Sequence, residues 1–150
     1  MTNILAPFPS NTREQIEEII GKIGRDVTFY YIYSSQACPD CTLDPITNTS
    51  TDSFCTTCSG EYWIPLYSGV TMSGHITNKF EYEQDFHTAG KTLIGDARVK
   101  VLHTDERERI IKLSDHVLVD DKVMDIKKVT LLGAQAINRI LVDVKEREEA

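Results

Sequence analysis

The four cysteines of this chain constrain its structure more than any other feature of the sequence. Cys38 and Cys41 form one pair and Cys55 and Cys58 form a second, in the pattern C-x2-C-x13-C-x2-C. This spacing is typical of two tight turns that present four thiolates to a single tetrahedral metal ion. Zinc in a closed site with four sulfur ligands keeps no open position for a water or a substrate. The pattern therefore predicts a structural zinc site at these four cysteines and not a catalytic one.

The composition around the cysteines also favours a metal. Residues 35–60 are mostly Ser, Thr, Asp, Asn and Pro, so they offer little apolar surface to bury. We therefore expect a bound ion to organise them. Gly60 stands two residues after Cys58, where it allows a tight turn with backbone N–H groups directed at sulfur, whereas Cys41 has no matching glycine.

Two other uses of the cysteines stay open from the sequence alone. Four cysteines at similar spacing also hold iron, so the pattern does not exclude an iron centre. Cys38-Pro39-Asp40-Cys41 follows a predicted strand, as the redox motif of thioredoxin-like proteins does. A helix follows that motif in redox proteins, whereas Thr42–Ser53 contains Pro45 and many Thr, Asn and Asp residues. We therefore favour a metal site over disulfide exchange, and zinc over iron.

The sequence contains no recognisable set of catalytic residues. Zinc deaminases need a His-x-Glu element before a Pro-Cys-x-x-Cys element, but here Pro39 follows the first cysteine and no histidine precedes it. There is also no glycine-rich phosphate loop and no nucleophile elbow. Single histidines in polar sequence are usually solvated, and those of this chain are His75, His87, His103 and His116. We predict that the protein is not an enzyme and has no catalytic residues.

The remaining sequence predicts a small β-barrel or sandwich into which the cysteine segment is inserted. At 150 residues the chain fits one domain with a substantial core. We divide it into an N-terminal arm (1–10), a helix with the first strand (11–34), the zinc-ribbon insertion (35–60) and the remaining β domain (61–150). The predicted fold is therefore mainly β, with one N-terminal helix and an inserted four-cysteine zinc ribbon.

Residue periodicity defines the predicted elements. Ile16, Ile19, Ile20 and Ile23 fall on one face of a helix that Gly24 ends. Alternating aromatic and β-branched residues predict short strands, whose spacing is typical of a barrel or sandwich. These strands are Asp26–Ser34, Tyr62–Tyr67, Val70–Ile76, Asp96–His103, Glu108–Leu113, His116–Val119, Val123–Leu131 and Ile137–Val144. The polar segment Lys79–Gly95 is predicted to be mostly loop.

The charge distribution argues against nucleic-acid binding by the cysteine segment. The formal net charge is −7, and no Lys or Arg occurs between Asp26 and Asn78. Nucleic-acid affinity depends on Lys and Arg that neutralise phosphates, so Tyr62-Trp63-Ile64 is predicted to pack in a core or interface instead of stacking on bases. The alternative function is a zinc-ribbon nucleic-acid or transcription accessory module, whose basic patch would consist of Lys127, Lys128 and Arg139.

The sequence also indicates the compartment. No apolar run approaches the ~20 residues that span a bilayer, so we expect a soluble protein with no membrane partner. Met1–Ser10 lacks both the basic start and the apolar core of a signal peptide. We therefore expect synthesis in a reducing cytoplasm, where paired thiols favour metal over disulfides.

The order of these elements resembles the head-closure (stopper) and related neck proteins of tailed bacteriophages. The resemblance covers about residues 11–148. It is carried by Arg13-Glu14-Gln15-Ile16, Gly24–Phe29, Cys38–Cys41, Cys55–Gly60, Gly95–Val101, Ser114–Asp121 and Asn138–Val144. Many members of that family lack a cysteine ribbon, so this chain resembles a zinc-bearing variant.

The resemblance implies a non-enzymatic subunit of the virion neck, made in the host cytoplasm. Such proteins form a ring, commonly of six copies, between a portal-side adaptor protein and a tail terminator or tail tube protein. DNA passes through the lumen without sequence-specific binding. The negative charge of this chain suits such a passage, because a channel that repels phosphates lets the duplex slide.

Overall fold

The computed structural model describes residues 12–78, 96–133 and 136–147, and the structural statements below concern those residues. The predicted arm and the predicted loop Lys79–Gly95 lie outside them. The elements are α1 (Thr12–Ile23), β1 (Arg25–Ala37), β2 (Trp63–Asn78), β3 (Ala97–Leu102), α2 (Asp105–Leu113), β4 (Ser114–Val119), β5 (Lys122–Leu132) and β6 (Arg139–Glu146). With 53% strand, the structure confirms the mainly β class.

The six strands close into a barrel in the order β1-β2-β3-β6-β5-β4. Strands β2 and β3, β3 and β6, β5 and β6, and β4 and β5 pair antiparallel. The β4–β5 hairpin turns at Asp120 and Asp121, whose φ angles of 48° and 65° are those of a primed two-residue turn. Of the two architectures that the sequence allowed, the strands therefore form the barrel.

The strands differ from the predicted ones mainly in length. β1 begins one residue before the predicted Asp26 and continues to Ala37, next to the first cysteine. β2 is one continuous strand, although the sequence predicted separate strands over Tyr62–Tyr67 and Val70–Ile76. Its pairing with β3 begins only at Gly74, so Pro65 lies outside that paired stretch and its missing N–H removes no bond to β3.

The apolar core lies in a compact unit, which we call the barrel unit and whose described residues are 12–30, 70–78, 96–133 and 136–147. Alternate residues of β3 point inward, with Ala97, Val99 and Val101 buried, as the two-residue period of a strand requires. Each fully buried Val or Ile stabilises the fold by about 1.5–3 kcal/mol relative to an exposed one. The other buried members of this core are Val27, Phe29, Met72, Ile111, Val117, Val119, Met124, Ile140, Val142 and Val144.

One ion pair is buried among the barrel strands. Arg98 on β3 and Asp143 on β6 are register partners, and Asp143 is only 2% exposed. The guanidinium donates from Nε to Oδ1 at 2.5 Å and from Nη2 to Oδ2 at 3.0 Å. This two-point contact raises the pKa of Arg98. It compensates a carboxylate that would otherwise be costly to bury.

The prediction of a strand over Glu108–Leu113 is wrong, because these residues belong to helix α2. The fold therefore has a second helix besides the predicted N-terminal one. The Thr104 side chain caps α2 by accepting the Arg107 N–H at 3.2 Å. Acidic residues in the first turn and Lys112 in the last complement the helix dipole. Ile111, which the sequence placed in a strand, lies on this helix and is fully buried in the core.

Helix α1 is present as predicted, but its isoleucine stripe is only partly covered. Ile20 is buried, whereas Ile19 and Ile23 are each 53% exposed. The helix ends at Gly24, whose N–H donates to the Ile20 carbonyl at 2.7 Å. Neither α1 nor α2 has the length and apolar character needed to cross a membrane.

Candidate metal centre

The four cysteines lie in a second compact unit, Tyr31–Gly69, which we call the cysteine unit. Their sulfur atoms all lie within 4.8 Å of one another. Cys38 Sγ is 3.8 Å from Cys55 Sγ, and Cys41 Sγ is 3.5 Å from Cys58 Sγ. None of the four forms a disulfide. The two C-x2-C pairs therefore converge on one point, although 13 residues separate them in the chain.

The sulfur positions fit a tetrahedral ion. A zinc ion with four Zn–S bonds of about 2.3 Å places its ligands about 3.8 Å apart. The observed separations of 3.8 Å and 3.5 Å agree with this geometry, whereas a disulfide would need an S–S distance of about 2.05 Å. Sulfur donors select zinc or iron over magnesium and calcium. The residues present therefore suit a closed four-sulfur metal site.

The ends of β1 and β2 position the first cysteine. Cys38 follows β1 directly, and its N–H donates to the Tyr62 carbonyl at 2.9 Å. Tyr62 and Ile64 are partly buried and pack against the cysteines, while Trp63 is 41% exposed. Tyr62 also contacts Trp63 edge to face, with ring centroids 5.0 Å apart. Two of the three residues Tyr62-Trp63-Ile64 therefore pack on the cysteine cluster, as a packing role predicts.

Hydrogen bonds to sulfur come from the tight turns at the cysteines. Cys38 accepts a backbone N–H from Asp40, and Cys58 accepts backbone N–H groups from Tyr62 and Gly60. Gly60 has a φ of 84°, and a Cβ at this position would lie 2.9 Å from the Ser53 carbonyl oxygen. Both the positive φ and the short contact with Ser53 therefore require a glycine at position 60. This confirms the turn predicted at Gly60.

The hydrogen bond to Cys41 comes from Ser50, which sequence reasoning missed. Ser50 is buried, and its side chain hydrogen-bonds Cys41. The chain holds Ser50 there through a bridge to Leu43 and through its N–H, which donates to the Gly60 carbonyl at 3.0 Å. Many Ser and Thr residues surround the cysteines in the sequence, so no local signal distinguishes Ser50 from them.

The environment of the cluster shifts the pKa values of its thiols in different directions. Burial raises the pKa of Cys38. The Ser50 hydrogen bond lowers the pKa of Cys41, but burial and the neighbouring thiols outweigh it and raise that pKa to about 12. Burial raises the pKa of Cys58 too, but hydrogen bonds from the Tyr62 and Gly60 N–H groups and from the adjacent thiols outweigh it. They lower the pKa of Cys58 to about 7. A divalent cation would supply the missing positive charge and displace the thiol protons.

The described histidines belong to the other compact unit, and none of them is grouped with the four cysteines. His103, Asp105 and Glu108 form a separate group whose ligand atoms lie within 4.8 Å of one another. His103 Nε2 is 2.7 Å from Glu108 Oε2, and Glu108 also pairs with Lys112 at 2.5 Å, so His103, Glu108 and Lys112 form a hydrogen-bonded network. His116 stacks on Tyr30 with ring centroids 5.0 Å apart. His75 has a pKa lowered by burial and by nearby cations, and His87 lies outside the described residues.

Comparisons with protein-family models, with curated proteins and with solved structures find no match to this chain. The neck-protein resemblance drawn from the sequence therefore stays a prediction. The structure itself shows a closed barrel and a cluster of four cysteines that fits a metal ion.

Proposed function

We propose that this protein is a structural subunit of the neck of a tailed-bacteriophage virion. In this role a ring of copies joins a portal-side adaptor to the tail terminator or tail tube, and DNA passes through the lumen. One observation carries the proposal: the chain combines a closed β-barrel with four clustered cysteines that lie in the sequence between β1 and β2. A closed barrel cannot add strands at an edge, so it assembles through side-chain surfaces and appended segments.

Exposed apolar side chains on the helices support assembly. Ile19 and Ile23 on α1 are each 53% exposed, and Leu113 at the end of α2 is 63% exposed. A ring forms when one surface of a subunit contacts a different surface of the next copy by a closing rotation. Apolar residues of this kind gain free energy when a neighbour covers them.

The charges support a DNA passage more than a DNA-binding site. The chain carries a net charge of −7, and its stretch from Asp26 to Asn78 lacks Lys and Arg. In the alternative basic patch, Lys127 lies 3.7 Å from Asp125, and Arg147 pairs with the same carboxylate at 2.5 Å. Asp125 thus offsets part of the positive charge that a nucleic-acid module would use at Lys127.

Zinc is the metal that we propose for the cysteine unit. It would be held by Cys38, Cys41, Cys55 and Cys58, and it would crosslink two segments that otherwise bury little apolar surface. The role is structural, since four protein ligands leave no open coordination position. Iron in the same four-sulfur geometry is the alternative, which elemental analysis and the visible absorption spectrum distinguish.

Immunogold labelling of virions produced from the genome that encodes this chain tests the neck assignment. We expect label at the head–tail junction, and native mass spectrometry of the assembled species should give a ring of six 17.0 kDa chains. A gene position between portal and tail genes is expected as well. Virions without label would overturn the proposal, and a salt-dependent gel shift of duplex DNA would favour the nucleic-acid module instead.

A further inference from the structure

Two large apolar side chains of the cysteine unit are almost completely exposed. Ile46 is 92% exposed and Phe54 is 93% exposed, while the other exposed large apolar residues of the described chain reach at most 63%. Scattered apolar residues are normal on a protein surface. Nearly full exposure of an Ile and a Phe in one unit of this size is informative, because no residue in the described part of the chain covers them and a partner that did so would gain apolar contact.

The same type of hydrogen-bonded turn precedes both side chains. The Ile46 N–H donates to Asp44 Oδ1 at 2.8 Å, and the Phe54 N–H donates to Asp52 Oδ1 at 3.0 Å. In each case an Asp two residues earlier forms an Asx turn. Each turn therefore holds a carboxylate directly beside the backbone of an exposed apolar residue.

Both turns are tied to the cysteine cluster. The segment around Ile46 is closed by the bridge between Leu43 and Ser50, and Ser50 hydrogen-bonds Cys41. Phe54 directly precedes Cys55, which is buried in the cluster. Side chains on a backbone fixed in this way lose less entropy on binding than side chains on a mobile loop. Ordered aromatic and aliphatic residues of this kind are typical anchors of protein interfaces.

The charge of the cysteine unit indicates what kind of surface covers these anchors. Its charged residues are all acidic, namely Asp40, Asp44, Asp52 and Glu61. The Ile46 N–H lowers the pKa of Asp44, which keeps that carboxylate charged. A complementary partner therefore carries Lys and Arg around its apolar pockets. A second copy of this chain is a poor candidate, because it has a net charge of −7.

We propose that Ile46 and Phe54 are the anchors by which the cysteine unit docks on a different protein, whose apolar pockets are bordered by Lys and Arg. Each anchor inserts an apolar side chain, and the adjacent carboxylate of Asp44 or Asp52 pairs with a basic residue of the partner. The inference depends on the cysteine unit alone, so it can succeed or fail independently of the virion role.

Selection from a random displayed peptide library, with the full-length zinc-loaded protein as bait, tests this proposal. We expect enrichment of peptides in which Leu, Phe or Trp stands next to Lys or Arg. Phe54→Ser and Ile46→Ser should each weaken the binding of a selected synthetic peptide by about tenfold or more. Ile137→Ser, which changes an exposed apolar residue outside the cysteine unit, is the matched control and should leave the affinity unchanged.

The contribution of the charges is tested without disturbing the turns. Asn accepts the same backbone N–H as Asp, so Asp44→Asn combined with Asp52→Asn removes two charges and keeps both Asx turns. This variant should bind the basic peptide more weakly, with a smaller dependence on salt. Zinc content and circular dichroism of every variant should equal those of the wild type, which separates lost binding from lost folding.

Three results would overturn the proposal. The selected peptides could lack basic residues, or their affinity could be unchanged by both Ser substitutions. Sedimentation could show self-association of the wild type that Ile46→Ser or Phe54→Ser abolishes, in which case a second copy covers these anchors. Binding of the wild type to vesicles of anionic lipid that Phe54→Ser abolishes would identify a membrane as the occupant.

Discussion

At the residue scale, Gly60 shows how one backbone position serves the metal centre. Its φ of 84° and the close approach of the Ser53 carbonyl exclude a side chain, and its N–H points at Cys58. This requirement for glycine applies to Gly60 and not to every glycine of the chain. Gly21, inside α1, has nothing within 4 Å of where a Cβ would be.

Gly60→Ala should therefore weaken zinc binding. A non-glycine residue in the left-handed region costs roughly 1–2 kcal/mol, which corresponds to about a tenfold loss of affinity. Competition with a chromophoric chelator measures this change. Gly21→Ala is the control and should leave zinc affinity unchanged while stabilising α1 by up to about 1 kcal/mol. Equal affinities for Gly60→Ala and the wild type would contradict the structural role of this turn.

A second residue-scale feature is the ion pair between Arg98 and Asp143. Replacing Asp143 by Ala removes the carboxylate that faces a largely buried guanidinium. We expect a loss of about 3–5 kcal/mol in the free energy of unfolding. The double variant Arg98→Met with Asp143→Leu should recover most of this loss, because apolar residues of similar size avoid burying a charge. Urea unfolding followed by circular dichroism measures both values, and a double variant as unstable as Asp143→Ala would refute this account.

At the element scale, α2 shows how neighbouring residues decide between helix and strand. Ile110 and Ile111 resemble part of a short strand when only apolar runs are considered. The Thr104 cap, the acidic first turn and the i,i+4 pair between Glu108 and Lys112 all favour a helix instead. These signals are present in the sequence. Helix caps and charges, considered together with apolar periodicity, therefore predict the helix.

The pairs of Glu108 give α2 a pH-dependent contribution to stability. Hydrogen bonds from Lys112 and then His103 lower the pKa of Glu108 in the folded protein. Because the folded pKa lies below the unfolded one, the contribution is present above the ordinary Glu range and is lost as the pH falls through the folded pKa. Glu108→Gln should therefore be less stable than the wild type at about pH 6, and this difference should shrink as the pH is lowered below the ordinary Glu range.

Chemical unfolding of both proteins over a series of pH values from about 6 downward measures this convergence. Glu106→Gln, which changes an exposed carboxylate in the same turn, is the control. A difference between wild type and Glu108→Gln that stays constant from neutral to acid pH would show that these pairs do not contribute.

At the scale of the whole molecule, the two compact units differ in what holds them together. The barrel unit has a core of buried Val, Ile, Phe and Met side chains. The cluster in the cysteine unit consists of Cys38, Cys55 and Cys58, with Cys41, Tyr62 and Ile64 packed against it. The barrel unit is thus stabilised mainly by apolar burial, and we expect the cysteine unit to depend on its metal.

Metal removal should therefore act on one unit only. We expect about one zinc per chain in purified protein, and none after Cys38→Ser. A chelator under reducing conditions should raise amide exchange within Tyr31–Gly69 while β3 and β6 stay protected. Hydrogen exchange read by mass spectrometry tests this prediction. Equal loss of protection in both units, or none in either, would contradict it.

The sequence by itself determined the features that depend on short spacing. C-x2-C pairs turn tightly because only two residues separate their thiols, and alternating residues form strands because side chains alternate across a strand. Only the tertiary structure decided which distant residues meet. It brings Ser50 to Cys41 and Arg98 to Asp143, and it leaves Ile46 and Phe54 exposed. The physical reason is that burial and long-range pairing depend on the whole arrangement of the chain, whereas turns and alternation depend only on neighbouring residues.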